Sequence, residues 1–300
     1  MSFNEGAGLD TSQVTSGGGR RGAAIGGGVG GVVILLIGAF LGVDLSGLTG
    51  GSASPFDTSQ VGTAGASDED AFAQCETGAD ANRDVTCRII GTVNSVQDYW
   101  TDALPADVGR QYREAKTVIY DGATQSACGT ASNQTGPFYC PADERIYIDA
   151  TFFDLLTSRF GADDGALAQE YVVAHEYGHH VQHVLGLLSR AQDGTTGPTS
   201  GGVRVELMAD CLAGVWAHHA ATTEDADGNT LLEPLTRSDI ESALSAAASV
   251  GDDHIQQSSG GRVDSDSWTH GSSEQRQRWF LTGYESGTAN RCDTFATDRL

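Results

Sequence analysis

His175-Glu176-Tyr177-Gly178-His179-His180 lies inside residues 165–188, where Leu167, Tyr171, Ala174, Gly178, Val181 and Leu185 recur at threes and fours. That spacing predicts one long buried helix. On it His175 and His179 stand one turn apart on the same face, so both imidazoles reach a single metal ion. Glu176 is rotated off their line, near a water beside that ion. An H-E-x-x-H pattern arises by chance about 0.01 times in a chain of this composition, so its presence carries weight. His180 and His183 point away from the His175/His179 stripe and are expected to be partly exposed or to support the ligands from behind.

A catalytic zinc usually keeps three protein ligands and one open position. A Gly/Thr/Ser/Pro loop at residues 194–202 leads into a second helix, about Val203 to Ala220, that carries Glu206-Leu207-Met208-Ala209-Asp210. Glu206 and Asp210 are i and i+4 and share a face. Apolar neighbours argue that the pair is buried, and a buried carboxylate needs a partner such as a dication. Glu206 is therefore the expected third ligand, and Asp210 the expected acceptor for the non-ligating nitrogen of a histidine ligand. His218 and His219 lie three turns further, roughly 18 Å along the helix, too far for the same ion. With one catalytic zinc, Glu176 is the expected general base, passing its proton to the leaving amine. His270, in Trp268-Thr269-His270-Gly271, is the candidate donor to the developing oxyanion, and Tyr177 an alternative.

The rest of the body reads as further helices around a small sheet. Val93 to Tyr112 has helical spacing until Pro105 interrupts it. Lys116–Tyr120 and Arg145–Asp149 are short runs with β-branched and tyrosine residues, expected as strands. An edge near Val118 and Ile146 would let an extended peptide add as a strand, although an ordinary hairpin fits equally. Residues 128–141 are expected as a loop. Ser238-Asp239-Ile240-Glu241 has capping-box form and should open a third helix, and a fourth should begin near Ser272.

Forty acidic residues against seventeen basic ones give a formal charge of −23, which would repel phosphate backbones and excludes nucleic-acid binding as a primary role. Gly22 to Val43 carries no charge and, as a helix, would span about 33 Å, enough for a bilayer. The expected organisation is a cytoplasmic tail at 1–21, a transmembrane anchor at 22–43 in contact with lipid, a flexible linker at 44–74 and a folded body at 75–300. Arg20 and Arg21 before the anchor orient the amino terminus inward at the plasma membrane and the body outward. All six cysteines follow the anchor. Among fifteen possible pairings, Cys75/Cys87 and Cys128/Cys140 close short loops and leave Cys211/Cys292. Asp225-Ala226-Asp227-Gly228-Asn229 resembles the start of a calcium loop, but Thr230 and Thr236 occupy the positions that need glycine and glutamate; an exposed acidic turn is the expectation.

Four blocks closely resemble the bacterial putative neutral zinc metallopeptidase family: residues 136–143 (Gly136-Pro137-Phe138-Tyr139), 175–182 around the two histidines, 206–216 around Glu206 and Asp210, and Thr269-His270-Gly271-Ser272-Ser273. The Gly42-Val43-Asp44-Leu45 segment is also similar. The resemblance implies an α+β, mainly helical zincin-like metallopeptidase domain with a small β-sheet, preceded by a single transmembrane helix. It also implies His175, His179 and Glu206 as zinc ligands and Glu176 as catalytic acid. Cys75 and Cys87 are additions to the family pattern. The expectation is an anchored zinc peptidase acting on extracytoplasmic polypeptides. The alternative is a non-catalytic module that keeps zinc for folding or binds a partner.

Overall fold

The computed structural model describes residues 2–17, 34–35, 62–63, 69–132 and 135–300. Its helices are α1 (Gly78–Ala81), α2 (Val85–Val108), α3 (Phe152–Ser158), α4 (Ala166–Val184), α5 (Gly201–His219), α6 (Arg237–Ser249), α7 (Asp252–Ser258) and α8 (Ser273–Ser286). Its strands are β1 (Val14–Gly17), β2 (Ile34–Leu35), β3 (Gly62–Thr63), β4 (Lys116–Tyr120), β5 (Ala123–Ser126), β6 (Gly129–Ser132), β7 (Phe138–Cys140) and β8 (Arg145–Asp149). The order of the larger sheet is β1-β4-β8-β7-β2, and a smaller sheet runs β3-β5-β6. β1, β4 and β8 are parallel, whereas β7 returns antiparallel to β8.

Strand alternation divides the core. Ile119, Ile146 and Ile148 face the main helical core, while Val118, Tyr120 and Tyr147 point the other way and join Ala131, Phe138 and Cys140 in a separate cluster. That is the period-two pattern of a sheet covered on both faces. The expected strands at 116–120 and 145–149 are present, but both lie inside the sheet, so Val118 and Ile146 offer no edge. The stretch expected as a loop at 128–141 contains β6 and β7. Its glycine, asparagine and proline content masked two short strands.

Helix ends follow local chemistry. Ser200 caps α5 through Val203 N, and Ser272 caps α8 in a capping box with Gln275. The third helix is capped two residues before the expected Ser238: Thr236 and Asp239 form the box, and α6 begins at Arg237. Pro105 does not stop α2, which runs to Val108 and ends on left-handed Gly109.

Two close approaches set the helix layout. A Cβ on Gly178 would sit 3.0 Å from Ala209 Cα and O, so α4 and α5 touch backbone to backbone. A Cβ on Gly214 would lie 2.0 Å from Phe280 O, and one on Gly283 1.9 Å from Cys211 O. α5 and α8 therefore mesh through reciprocal glycines. Disulfides join Cys75–Cys87, Cys128–Cys140 and Cys211–Cys292; the last ties α5 to the chain beyond α8.

The anchored organisation is corrected. Among the described residues no helix is long and apolar enough to cross a membrane. Of the expected transmembrane segment 22–43, only Ile34–Leu35 is described, and it is strand β2, paired with β7; the remainder lies outside the described residues. Single-pass insertion, and the lipid contact that went with it, are therefore unsupported. Residues 2–17, expected as a tail across a bilayer from the body, pack on the body instead. Phe3, Ala7 and Val14 are buried, Asn82 bonds both Phe3 N and Phe3 O, and β1 extends the sheet beside β4. Gly91 is what admits the Phe3 ring, since a Cβ there would lie 2.4 Å from it. Most of the expected linker, 44–74, is outside the described residues; its end packs inward through Phe72.

Candidate metal centre

The α4/α5 crossing at Gly178 and Ala209 brings Glu206 against the two histidines. His175 Nε2 is 3.3 Å from Glu206 Oε2, and His179 Nε2 is 3.5 Å from Glu206 Oε1. One donor atom from each of the three lies within 4.8 Å of the others, and all three side chains are buried. Both Nε2 atoms and Glu206 Oε2 have no hydrogen-bond partner among the described residues. Three orphaned, converging donors in a buried site are costly unless a cation satisfies them, and two imidazoles with one carboxylate are a donor set that zinc accepts. The residues fit the metal. The other cluster with metal-ligand geometry among the described residues, Cys75, Asp84 and Cys87, has its sulfurs in a disulfide.

The two imidazoles are held differently. His175 Nδ1 lies 2.8 Å from Asp210 Oδ1, and Asp210 also accepts from Tyr171 OH at 2.5 Å and from Arg276 Nε and Nη2, both at 2.9 Å. His179 Nδ1 meets the amide oxygen of Gln182 at 2.9 Å, and Gln182 Nε2 donates to Val205 O on α5. Burial opposes protonation of His175, but the Asp210 carboxylate outweighs it and raises the ring to about 9. Burial prevails at His179, which falls to about 4 despite Glu206. Burial also works against the Glu206 anion, yet the adjacent histidines, His179 foremost, hold it well below the usual carboxylate range.

Glu176 is fully buried, and neither of its oxygens has a hydrogen-bond partner among the described residues. Burial pushes it up to about 8, with His175 and the nearby backbone N–H of Tyr139 opposing the rise and Glu206 adding to it. A carboxyl that gains and loses its proton near neutrality is suited to carrying one.

His270 is brought to the same centre and is buried. Its Nδ1 lies 3.2 Å from Asp252 Oδ1, while Asp252 Oδ2 accepts the backbone N–H groups of Thr269, His270 and Gly271 at 2.8–2.9 Å. Burial lowers the affinity of His270 for a proton, but Asp252 and Glu206 together raise it above the ordinary histidine value. Tyr177, the alternative donor, turns away: its hydroxyl lies 3.0 Å from Thr117 Oγ1 and donates to Ala115 O. His180 is not exposed. It is buried between Tyr139 OH and Arg113 O, while His183 is partly exposed beside Glu144. His218 and His219 cap the end of α8 through Tyr284 O and Gly287 O, away from the centre. Asp225 folds over Asn229 and the Gly8 N–H in an acidic turn.

Asp252 and Arg276 escaped the sequence reading. Asp252 opens α7, a short helix without apolar periodicity. Arg276 lies in the polar run Ser273-Glu274-Gln275-Arg276-Gln277-Arg278, where nothing local marks it as the buried member.

Two crossing helices thus present H-E-x-x-H and a downstream glutamate to one point, the donor set of a candidate zinc site. A family model described as "Putative neutral zinc metallopeptidase" matches residues 6–295, and the chain belongs to that family. It is 50% identical over 303 residues to uncharacterized proteins of Mycobacterium tuberculosis and Mycobacterium bovis, covering all of both chains. It is 39% identical over 267 residues to the uncharacterized protein YpfJ of Escherichia coli, covering 87% of this chain and 84% of the relative. No solved structure matches it.

Proposed function

We propose that the protein is a zinc-dependent peptidase hydrolysing internal peptide bonds of polypeptides. The observation that carries this reading is the state of Glu176: buried, without a hydrogen-bond partner among the described residues, and beside the three-donor cluster. A site that kept metal for folding alone would have no use for such a group.

Zinc held by His175, His179 and Glu206 would supply a Lewis acid that polarises the scissile carbonyl and acidifies a water. Glu176 takes the proton from the attacking water at a carboxylate oxygen and delivers it to the leaving amine nitrogen. Asp252 grips the His270 ring at Nδ1 and favours its cationic form, making it a donor to the oxygen that gains charge as the carbonyl is attacked. Buried walls keep bulk water from weakening these interactions.

Metal analysis and turnover of an unfolded polypeptide test the reading together. Wild-type protein is expected to hold one zinc per chain and to cleave. Glu176→Gln should retain the zinc and lose activity by about 10²–10⁴-fold, the usual contribution of a general base. Equal inertness of both proteins across a broad peptide library would sink the peptidase reading and leave a zinc-stabilised binding module.

A further inference from the structure

We infer that Arg276 is the positioning residue for His175, acting through Asp210; the inference rests on the metal-centre reading above. Arg276 is fully buried in α8. Its Nε and Nη2 clamp both oxygens of Asp210 at 2.9 Å, its Nη2 also reaches Tyr171 OH at 3.2 Å, and its Nη1 donates to Val250 O at 3.3 Å. Nη2 also lies 3.4 Å from His175 Nδ1, but with that nitrogen donating its proton to Asp210 the two face each other as donors, so the carboxylate is the link between them. This is the bidentate fork that a guanidinium makes and an ammonium cannot.

The clamp decides where Asp210 Oδ1 points. That oxygen takes His175 Nδ1, while Oδ2 is engaged by Arg276 Nε. With both oxygens held, the carboxylate cannot rotate about its Cβ–Cγ bond, and the His175 ring is fixed with Nε2 turned toward Glu206. Remove the fork and Asp210 becomes a buried anion with fewer donors, which re-orients or protonates at the expense of its bond to the histidine. Helix register supplies the precision: Gly283 against Cys211 O and Gly214 against Phe280 O fix α8 beside Asp210–Cys211, so the guanidinium is located by main-chain contact. A buried Arg–Asp pair is often purely structural, but this one ends on a candidate ligand. His179 has no comparable tie to α8; its support is the amide of Gln182 on its own helix.

The test compares zinc affinity, by competition with a chromophoric chelator, and the visible absorption of the cobalt(II)-substituted protein. The proteins are wild type, Arg276→Met, Arg276→Lys, Asp210→Asn and the Asp210→Asn/Arg276→Met double variant. Arg276→Met should weaken zinc binding about 10–100-fold and shift the cobalt bands, the usual effect of removing an outer partner of a ligand. Arg276→Lys keeps the charge without the fork and should also lose at least about 10-fold. The double variant should bind no worse than Asp210→Asn alone, because the arginine acts through that carboxylate. Should Arg276→Met fail to fold, the lysine variant decides. Wild-type affinity and unchanged cobalt bands in a folded variant, or losses that add in the double variant, overturn the proposal. A wild-type protein that takes up no zinc overturns the metal-centre reading itself, a separate outcome.

Discussion

The two helices that build the centre carry buried acids in opposite states. On α4, Glu170 and Glu176 have no hydrogen-bond partner among the described residues, and burial pushes them up to about 7 and about 8. On α5, Glu206 and Asp210 are equally buried, yet histidines and Arg276 hold both below the ordinary carboxylate range. The difference lies in neighbours rather than depth. A ligand and the residue bracing it must stay anionic, whereas a proton carrier must keep its proton within reach at neutral pH. The acids of the centre are thus divided between helices: α5 carries the two held as anions, and α4 carries the protonatable Glu176 beside the two histidines.

The sharpest way to break this division is to remove the α5 ligand. A zinc site is worth roughly 10–16 kcal/mol over four ligands, so Glu206→Ala should weaken zinc binding by about 10²–10³-fold, read by chelator competition. Undiminished affinity would mean that the division is false and another group completes the site.

Glu170 sharpens the comparison from the other side, because it shares the protonation behaviour of Glu176 without belonging to the centre. Its folded-state value of about 7 exceeds the ordinary 4.5, so the native state holds more protons between those values and stability falls as pH rises through that window. Glu170→Gln removes the ionisation penalty. Its advantage over wild type in denaturant melts should open above pH 4.5 and level off above pH 7 at about 2 kcal/mol, below the full linkage value because an amide is also costly to bury. A pH-independent difference would show that Glu170 does not titrate in this range.

The smallest effect belongs to the Asp252–His270 pair. Burial opposes both charges, but each holds the other: Asp252 is lowered from 3.8 and His270 raised from 6.5. The aspartate contribution is present above 3.8 and lost as pH falls through its folded value. The histidine contribution is complete below 6.5 and lost as pH rises through its folded value. In zinc-free protein, the stability gap between wild type and His270→Asn in denaturant melts should therefore be widest between about pH 4 and 6.5 and narrow as pH rises through the folded value of His270. A gap that grows toward pH 9 would reverse the assigned direction.

What could be read from the sequence follows from how local each feature is. α4 and α5 declared themselves by apolar spacing, and H-E-x-x-H is legible because its two histidines need only one turn of helix. Glu206 and Asp210 could be proposed because their apolar neighbours implied burial. Arg276 and Asp252 could not, since their roles arise only when α7 and α8 close on α5, and a polar run looks alike whether it faces solvent or a buried anion. The same limit misplaced residues 2–17. A glycine-rich front end resembles a tether until Phe3 is seen in the space that Gly91 leaves. The apolar run at 22–43 satisfied a length criterion for spanning a bilayer, but hydropathy alone cannot separate a membrane helix from strand-forming sequence such as Ile34–Leu35.

The interlocked glycines of α5 and α8 also constrain motion. Carbonyls seated where side chains would otherwise stand leave no clearance for sliding, so α5 and α8 travel as one rigid body, with Cys211–Cys292 adding a covalent tie at the same contact. Any relative movement of α4 against that body must therefore be taken up in the connections around residues 186–200 and 259–271.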